Sequence, residues 1–186
     1  MEVKLANSKM ELQQILILQN KNHYENLSKE LKSANGFVTV RHDIHMLEQM
    51  NDLEKQVIAV VDGKVIGYAL VMLKELKNAI PILSPMFKSF EKTKYNNTTL
   101  AELNYYVMGQ ICIAEDYRGK GVFKALYEKH KAIYSKKYDL CITEVSTSNK
   151  RSMRAHEKIG FELLHTYRDM QDEWNIIAWN WKTALA

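Results

Sequence analysis

The stretch from Ile111 to His130, ICIAEDYRGKGVFKALYEKH, limits what this chain can fold into more than any other. An apolar strand ending at Ile111-Cys112-Ile113 passes through a polar turn into Arg118-Gly119-Lys120-Gly121, and an amphipathic helix follows. Strand, basic glycine loop and helix start together make an anion site. The first N–H groups of a helix have no partner within it, and the helix dipole places positive potential there. Neither glycine carries a Cβ, so the backbone can approach a ligand closely. Arg118, Lys120 and Lys124 add charge. Taken alone, RGKG is equally an ordinary surface connection. It is not a dinucleotide fingerprint, because the three glycines of G-x-G-x-x-G are missing, and no G-x-x-x-x-G-K-[ST] phosphate loop occurs in the chain.

Composition narrows the classes. The 186 residues suffice for one domain, 1–186, with a sizeable core, and 46% hydrophobic with 26% charged residues is an ordinary globular balance. A net charge of +4 is mild, compatible with an anionic ligand and insufficient to imply nucleic acid. Cys112 and Cys141 both lie in apolar strand-like runs, which suggests buried reduced thiols in a cytoplasmic protein rather than a disulfide framework. No Cys or His pair has metal-ligand spacing, so no metal is expected. The polar N-terminus and the absence of a long apolar run predict neither a signal peptide nor a membrane span.

In chain order, Val3 to Ala6 reads as a strand and Ser8 with Glu11 as a capping box. The helix that follows is expected to bury Met10, Leu12, Ile15, Leu16 and Leu18 and to fade at Asn20. NLSKELKSANGFVTV holds a short helix and then an apolar strip, Phe37 to Val40, and Asp43 caps a helix Ile44 to Met50. Gln56 to Val61, the Asp62-Gly63 turn and Val65 to Leu73 form a hairpin, with Gly67 marking a bulge or a close approach. The stretch around Met86, Phe87 and Phe90 is a loop or short helix, packing over the sheet or walling an acceptor. Leu103 to Ile113 is the longest strand. A helix then starts at Gly121, a strand covers Tyr138 to Ser146, a helix covers 149 to 158, and strands Phe161 to Tyr167 and Trp174 to Trp181 close the chain.

Two segments in this order, RGKGVF and EVSTSNKRSMRAHEKIGF, resemble the GNAT superfamily of acyl-CoA N-acyltransferases. The first follows the family's pattern of Gln or Arg, two residues, Gly, one residue, then Gly or Ala, with Phe123 departing at the last position. The resemblance implies an α/β (α+β) fold: a mixed, mostly antiparallel sheet with a splayed central strand pair and helices on both faces. It also implies acetyl-CoA (coenzyme A) as co-substrate. The amine acceptor would be a small molecule or a peptide, with neither nucleic acid nor membrane as partner and a homodimer left open.

The reaction implied is transfer of an acyl group from its CoA thioester to a primary amine. For the cofactor, the resemblance implies the backbone amides of Arg118, Gly119, Lys120, Gly121, Val122 and Phe123. It adds the strand-end backbone of Ile111, Cys112 and Ile113, and Asn149 and Ser152 on the later helix. The attacking amine must lose a proton and the leaving thiolate must gain one. Thr143-Glu144-Val145 is similar to the run in which ribosomal-protein N-terminal acetyltransferases carry a glutamate base, so Glu144 is either the base or a hydrogen-bonded structural residue. Val107 and Gly109 occupy positions where other members place a base and neither takes a proton, which leaves Glu144, Glu102 or a water chain. His156 sits where many members carry a proton-donating Tyr, and a histidine titrating near neutrality suits that role or a structural one. The alternative class is a CoA-binding or regulatory module of the same fold without turnover.

Overall fold

The computed structural model describes residues 1–28, 30–31 and 37–182. The short helix expected within residues 26–36 lies mostly outside them. The chain divides into two compact units, Met1–Met72 with Met108–Ala132, and Leu73–Val107 with Ile133–Ala186. Among the described residues there are five α-helices and a seven-stranded, mostly antiparallel sheet.

The first unit opens with β1 (Glu2–Leu5) and α1 (Lys9–Asn22). Ser8 Oγ accepts from the Glu11 N–H while the Glu11 carboxylate accepts from the Ser8 N–H, the expected capping box. Leu12, Ile15 and Leu18 are buried on α1 together with Gln19 and Asn22, and the helix runs two residues past Asn20. Met10, expected inside, is 65% exposed. It lies two residues, about 200°, from Leu12 on the helical wheel and so faces the other way. Asp43 caps α2 (Ile44–Leu53) by accepting from the Met46 N–H at 2.8 Å.

β2 (Val57–Val61) and β3 (Lys64–Met72) form the expected hairpin. Asp62 and Gly63 both have positive φ, 48° and 74°, as a type I′ turn demands. Gly67 serves both expected purposes. The register shifts at Ala59/Val60 beside it, and a Cβ there would come within 3.1 Å of Val122 Cγ1. The strand order is β1-β2-β3 and then β6 (Tyr105–Ile113), whose last six residues belong to this unit. Helix α4 (Val122–Tyr134) follows, with Val122, Leu126, Tyr127 and His130 buried.

The second unit carries α3 (Ser84–Lys92), which buries Met86, Phe87 and Phe90 and so takes the helical form of the segment read above as loop or helix. The Phe90 ring meets Phe87 and Tyr105 edge-on at 6.1 and 6.2 Å. A two-residue ladder joins β4 (Lys94–Tyr95) to β5 (Thr98–Thr99). The order β6-β7-β9-β8 comprises β7 (Leu140–Ser146), β8 (Glu162–Arg168) and β9 (Glu173–Asn180). Helix α5 (Lys150–Ile159) ends at Gly160 in the left-handed conformation. β7 pairs antiparallel with β9 over all seven of its residues. Its parallel pairing with β6 covers three, Tyr105–Val107 against Leu140–Ile142, as expected of a strand that parts from its neighbour.

Candidate active site

In the first unit the chain leaves β6 with the Ala114 N–H donating to Ile66 C=O at 2.8 Å. A single turn, Glu115–Tyr117, then closes with the Arg118 N–H donating to Glu115 C=O at 3.1 Å. The Arg118 amide, expected to face a ligand, is thus committed to this turn. Gly119 and Gly121 have φ of 74° and 82°, and a Cβ on either would touch nothing within 4 Å. What requires glycine at these two positions is therefore the left-handed backbone, not crowding by neighbouring protein atoms. The first helical bond of α4 runs from the Ala125 N–H to Gly121 C=O, so the amides of Val122, Phe123 and Lys124 precede the ladder at the positive end of the helix dipole.

The side chains around this loop divide the work. Arg118 does not extend outward: Nε donates to Ile113 C=O at 3.1 Å and Nη2 donates to Asn22 Oδ1. It anchors the loop to the end of β6 and to the last turn of α1. One lone pair of the Ile113 carbonyl, expected to accept from the cofactor arm, is taken by this bond. Lys120 Nζ lies 5.7 Å from the Tyr117 ring centroid, and Lys124 pairs with Glu128 at 3.6 Å on an exposed face, where such pairs hold loosely. The Phe123 ring packs 5.0 Å from Tyr127, one turn along its own helix, and so leaves the loop backbone its shape. Cys112 is buried, and burial pushes its thiol up to about 12, which removes it as a nucleophile.

In the second unit Glu144 lies half-buried on β7. Burial pushes its carboxyl up to about 7, the Tyr167 hydroxyl draws it down, and the Asp169 charge adds to the rise. Tyr167 on β8 donates from Oη to Glu144 Oε2 at 2.6 Å. The register explains this reach across β9: Tyr167 stands opposite Trp174, Trp174 opposite Ser146, and Ser146 shares a face with Glu144. Nothing in the sequence alone gives that register, and Tyr167 was missing from the expected site. A tyrosine at the end of one strand and a carboxylate in another are the only signal it leaves.

Asn149 caps α5, its Oδ1 accepting from the Ser152 N–H at 3.2 Å, which is the capping reading of that residue. His156 is 2% exposed, one turn below Ser152 and edge-on to Phe161 at 5.1 Å. Its Nδ1 lies 2.8 Å from the Ser152 carbonyl, which can only accept, so Nδ1 carries the ring hydrogen and Nε2 carries none. Burial pushes its pKa down to about 4, so the ring is neutral at pH 7. This geometry, with Nδ1 on the Ser152 carbonyl and the ring against Phe161, is that of the structural alternative given above for His156.

The remaining candidates resolve simply. Tyr106 is fully buried among the rings of Tyr134, Tyr138 and Trp181, and Tyr105 packs under Lys74 Nζ at 3.9 Å. Glu102 is on the surface beside Thr98, whose hydroxyl donates to it. No group of three metal-ligating side chains occurs among the described residues, and no described helix is long and apolar enough to cross a membrane.

Residues 21–161 match the family model described as the acetyltransferase (GNAT) family. Solved structures share the fold at low identity. The ribosomal-protein-S18-alanine N-acetyltransferase from Escherichia coli aligns with a TM-score of 0.64 at 14% identity, over 98% of this chain and 95% of that one. The ribosomal-protein-alanine N-acetyltransferase from Brucella melitensis gives 0.64 at 14%, over 97% and 99%. YncA from Salmonella typhimurium, solved with its cofactor acetyl-CoA, gives 0.64 at 10%, over 100% and 96%. No curated protein matches the chain.

Proposed function

Because the chain belongs to the acetyltransferase (GNAT) family, we propose that residues 1–186 act as one N-acyltransferase domain, moving an acetyl (acyl) group from acetyl-CoA to a primary amine by direct attack of the amine. Acetyl-CoA is the family's co-substrate and supplies the activated acyl group with its thiol leaving group. The residues present fit it. Two left-handed glycines open onto space, the first amides of α4 precede the helical ladder, and Lys120 and Lys124 flank them. The Gly119, Lys120, Gly121, Val122 and Phe123 amides hold the pyrophosphate. The backbone of Ile111, Cys112 and Ile113 lines the pantetheine arm, and Ser152 contributes a hydroxyl to it while Asn149 holds the helix start.

The observation that carries the catalytic reading is Glu144. A carboxyl pushed up to about 7 takes a proton from an ammonium or amine near neutrality far better than one titrating at its ordinary value. Tyr167 fixes one carboxylate oxygen and leaves the other for the amine. The acceptor is a small-molecule or peptide amine. Two of the solved structures named above are by name alanine N-acetyltransferases of ribosomal proteins. A thiol-release assay with acetyl-CoA and a panel of peptide, amino-amide, alkyl and polyamine acceptors tests the reading. Turnover with at least one class is expected. CoA binding without release from any acceptor would leave a binding module instead.

A further inference from the structure

In the second unit, two residues past Glu144 on the same face of β7, a buried hydroxyl that the mechanism above does not use is fully committed to holding a turn. Ser146 is 3% exposed. Its Oγ lies 2.6 Å from Asp172 Oδ2, and a carboxylate only accepts, so the single hydroxyl hydrogen points there. Ser146 Oγ then accepts from the Ser148 hydroxyl at 2.7 Å and from the Ser148 N–H at 3.2 Å. With one donation and two acceptances, its bonding capacity is used within the protein and none is left for a ligand.

Asp172 passes the constraint on. Its Oδ1 accepts from the Glu173 N–H at 2.8 Å, its own N–H donates to Asp169 Oδ1 at 2.9 Å, and its carbonyl accepts from the Asp169 N–H at 3.0 Å. Asp169 Oδ1 also accepts from the Gln171 N–H at 2.8 Å. The Thr147 N–H donates to the Glu173 carbonyl at 2.9 Å, so backbone as well as Ser146 ties the turn to the end of β7. Burial alone would raise the Asp169 carboxyl, but the Asp172 and Gln171 amides outweigh it and hold it below its ordinary value, so it is charged at pH 7. Tyr167 and the exposed His165 reach the Glu144 face from β8, and Ile176 and Trp174 stand on it from β9. On the β6 side Val107 pairs with Ile142. From α3 the Ser89 side chain meets Tyr167, while Lys88, Glu91 and Lys92 are exposed. Arg168 alternates to the other face, beside Glu173. Among the described residues, Asp169 is the charge that acts on Glu144.

We propose that Ser146 is a positioning residue for the base: through Asp172 its hydroxyl fixes the turn that keeps the Asp169 charge beside Glu144, and so sets the pH range in which Glu144 accepts a proton. This rests on the acyltransferase reading with Glu144 as its base. A loose Asp169 would extend into solvent, where its charge is screened. A fixed one disfavours a second negative charge on Glu144 and makes that carboxyl the stronger base.

Carbon-13 shifts of labelled glutamate carboxyls, with Glu144 assigned by its loss in Glu144→Gln, follow its titration without any need for turnover. Ser146→Ala is expected to lower the Glu144 midpoint from about 7 by about half a pH unit, the effect of one like charge in a partly hydrated setting. Asp172→Ala breaks the clamp from its other side and should match it. Asp169→Asn keeps an oxygen for the two amides but carries no charge, so it should lower the midpoint at least as far. Adding Ser146→Ala to it should lower the midpoint no further. Ser146→Thr, which keeps the hydroxyl, should restore the wild-type value. The midpoint of kcat/KM against pH should move in step with the carboxyl. A role in stability alone predicts lower resistance to urea with an unchanged carboxyl midpoint. That result, additive shifts in the double variant, or a rate midpoint that stays while the carboxyl midpoint falls would overturn the role of Ser146 alone. No thiol release by wild type with any amine would overturn the acyltransferase reading, and this role in it, even where the carboxyl midpoint moves.

Discussion

Glu144 and His156 titrate in the reverse of the order that their residue types suggest. The carboxyl titrates near neutrality because burial disfavours its charge, and the imidazole titrates far below it for the same reason. Glu144→Gln is therefore expected to lower turnover by about 10²-fold or more, with CoA affinity changed by less than about twofold. Single-turnover rates beside calorimetry check it. In wild type, kcat/KM should rise with pH through a midpoint near 7, and Glu144→Gln should flatten that profile. The same shift bears on stability. A carboxyl whose folded pKa lies above its unfolded value costs nothing below the unfolded pKa, and its penalty grows as pH rises from there toward 7. Glu144→Gln should remove that part of the stability loss between pH 5 and pH 8, as read by urea denaturation. Glu144 was legible as a candidate from its position in a strand. Its raised pKa was not, because that comes chiefly from burial in the folded sheet, opposed by Tyr167 and reinforced by Asp169, both more than twenty residues away in sequence.

At the scale of elements, β7, β9 and β8 form the frame that brings Tyr167 to Glu144. Tyr167→Phe deletes the hydrogen bond that stabilises the ionised carboxylate, so the midpoint of the pH–rate profile should move upward from about 7. A downward move would mean that the hydroxyl instead supports the protonated form. The loop before α4 makes a second prediction. Gly121→Ala forces a Cβ into a left-handed position at a cost of about 1–2 kcal/mol, so CoA affinity should fall about tenfold with little effect on acceptor KM. Caps, turn residues and hydrophobic periods placed these elements in the sequence. Ser8 with Glu11, Asp43 and Asp62-Gly63 each occur in the predicted setting. Met10 was misplaced because it was grouped with the apolar residues Leu12 to Leu18, whereas the helical wheel turns it out. Arg118 was read as a ligand-facing charge, because contacts with Asn22, ninety-six residues earlier, leave no trace in local sequence.

At the scale of the whole molecule, the fold class was legible because two motif segments fell in order among correctly spaced strands and helices. Strand pairing was not, since the order β6-β7-β9-β8 departs from sequence order. The modest charge of +4 carries a prediction of its own. Phosphate binding by exposed groups such as Lys120 and Lys124 should weaken with ionic strength, so CoA affinity should fall between 50 mM and 500 mM NaCl as the screening length shrinks from about 14 Å to about 4 Å. The two cysteines bear on the assay itself. Cys112 is 7% and Cys141 0% exposed, and neither forms a disulfide. A thiol-reactive dye therefore counts released CoA while the protein is folded and gains two further equivalents per chain when it unfolds. The chain thus carries a built-in unfolding clock, readable in the same cuvette as its turnover.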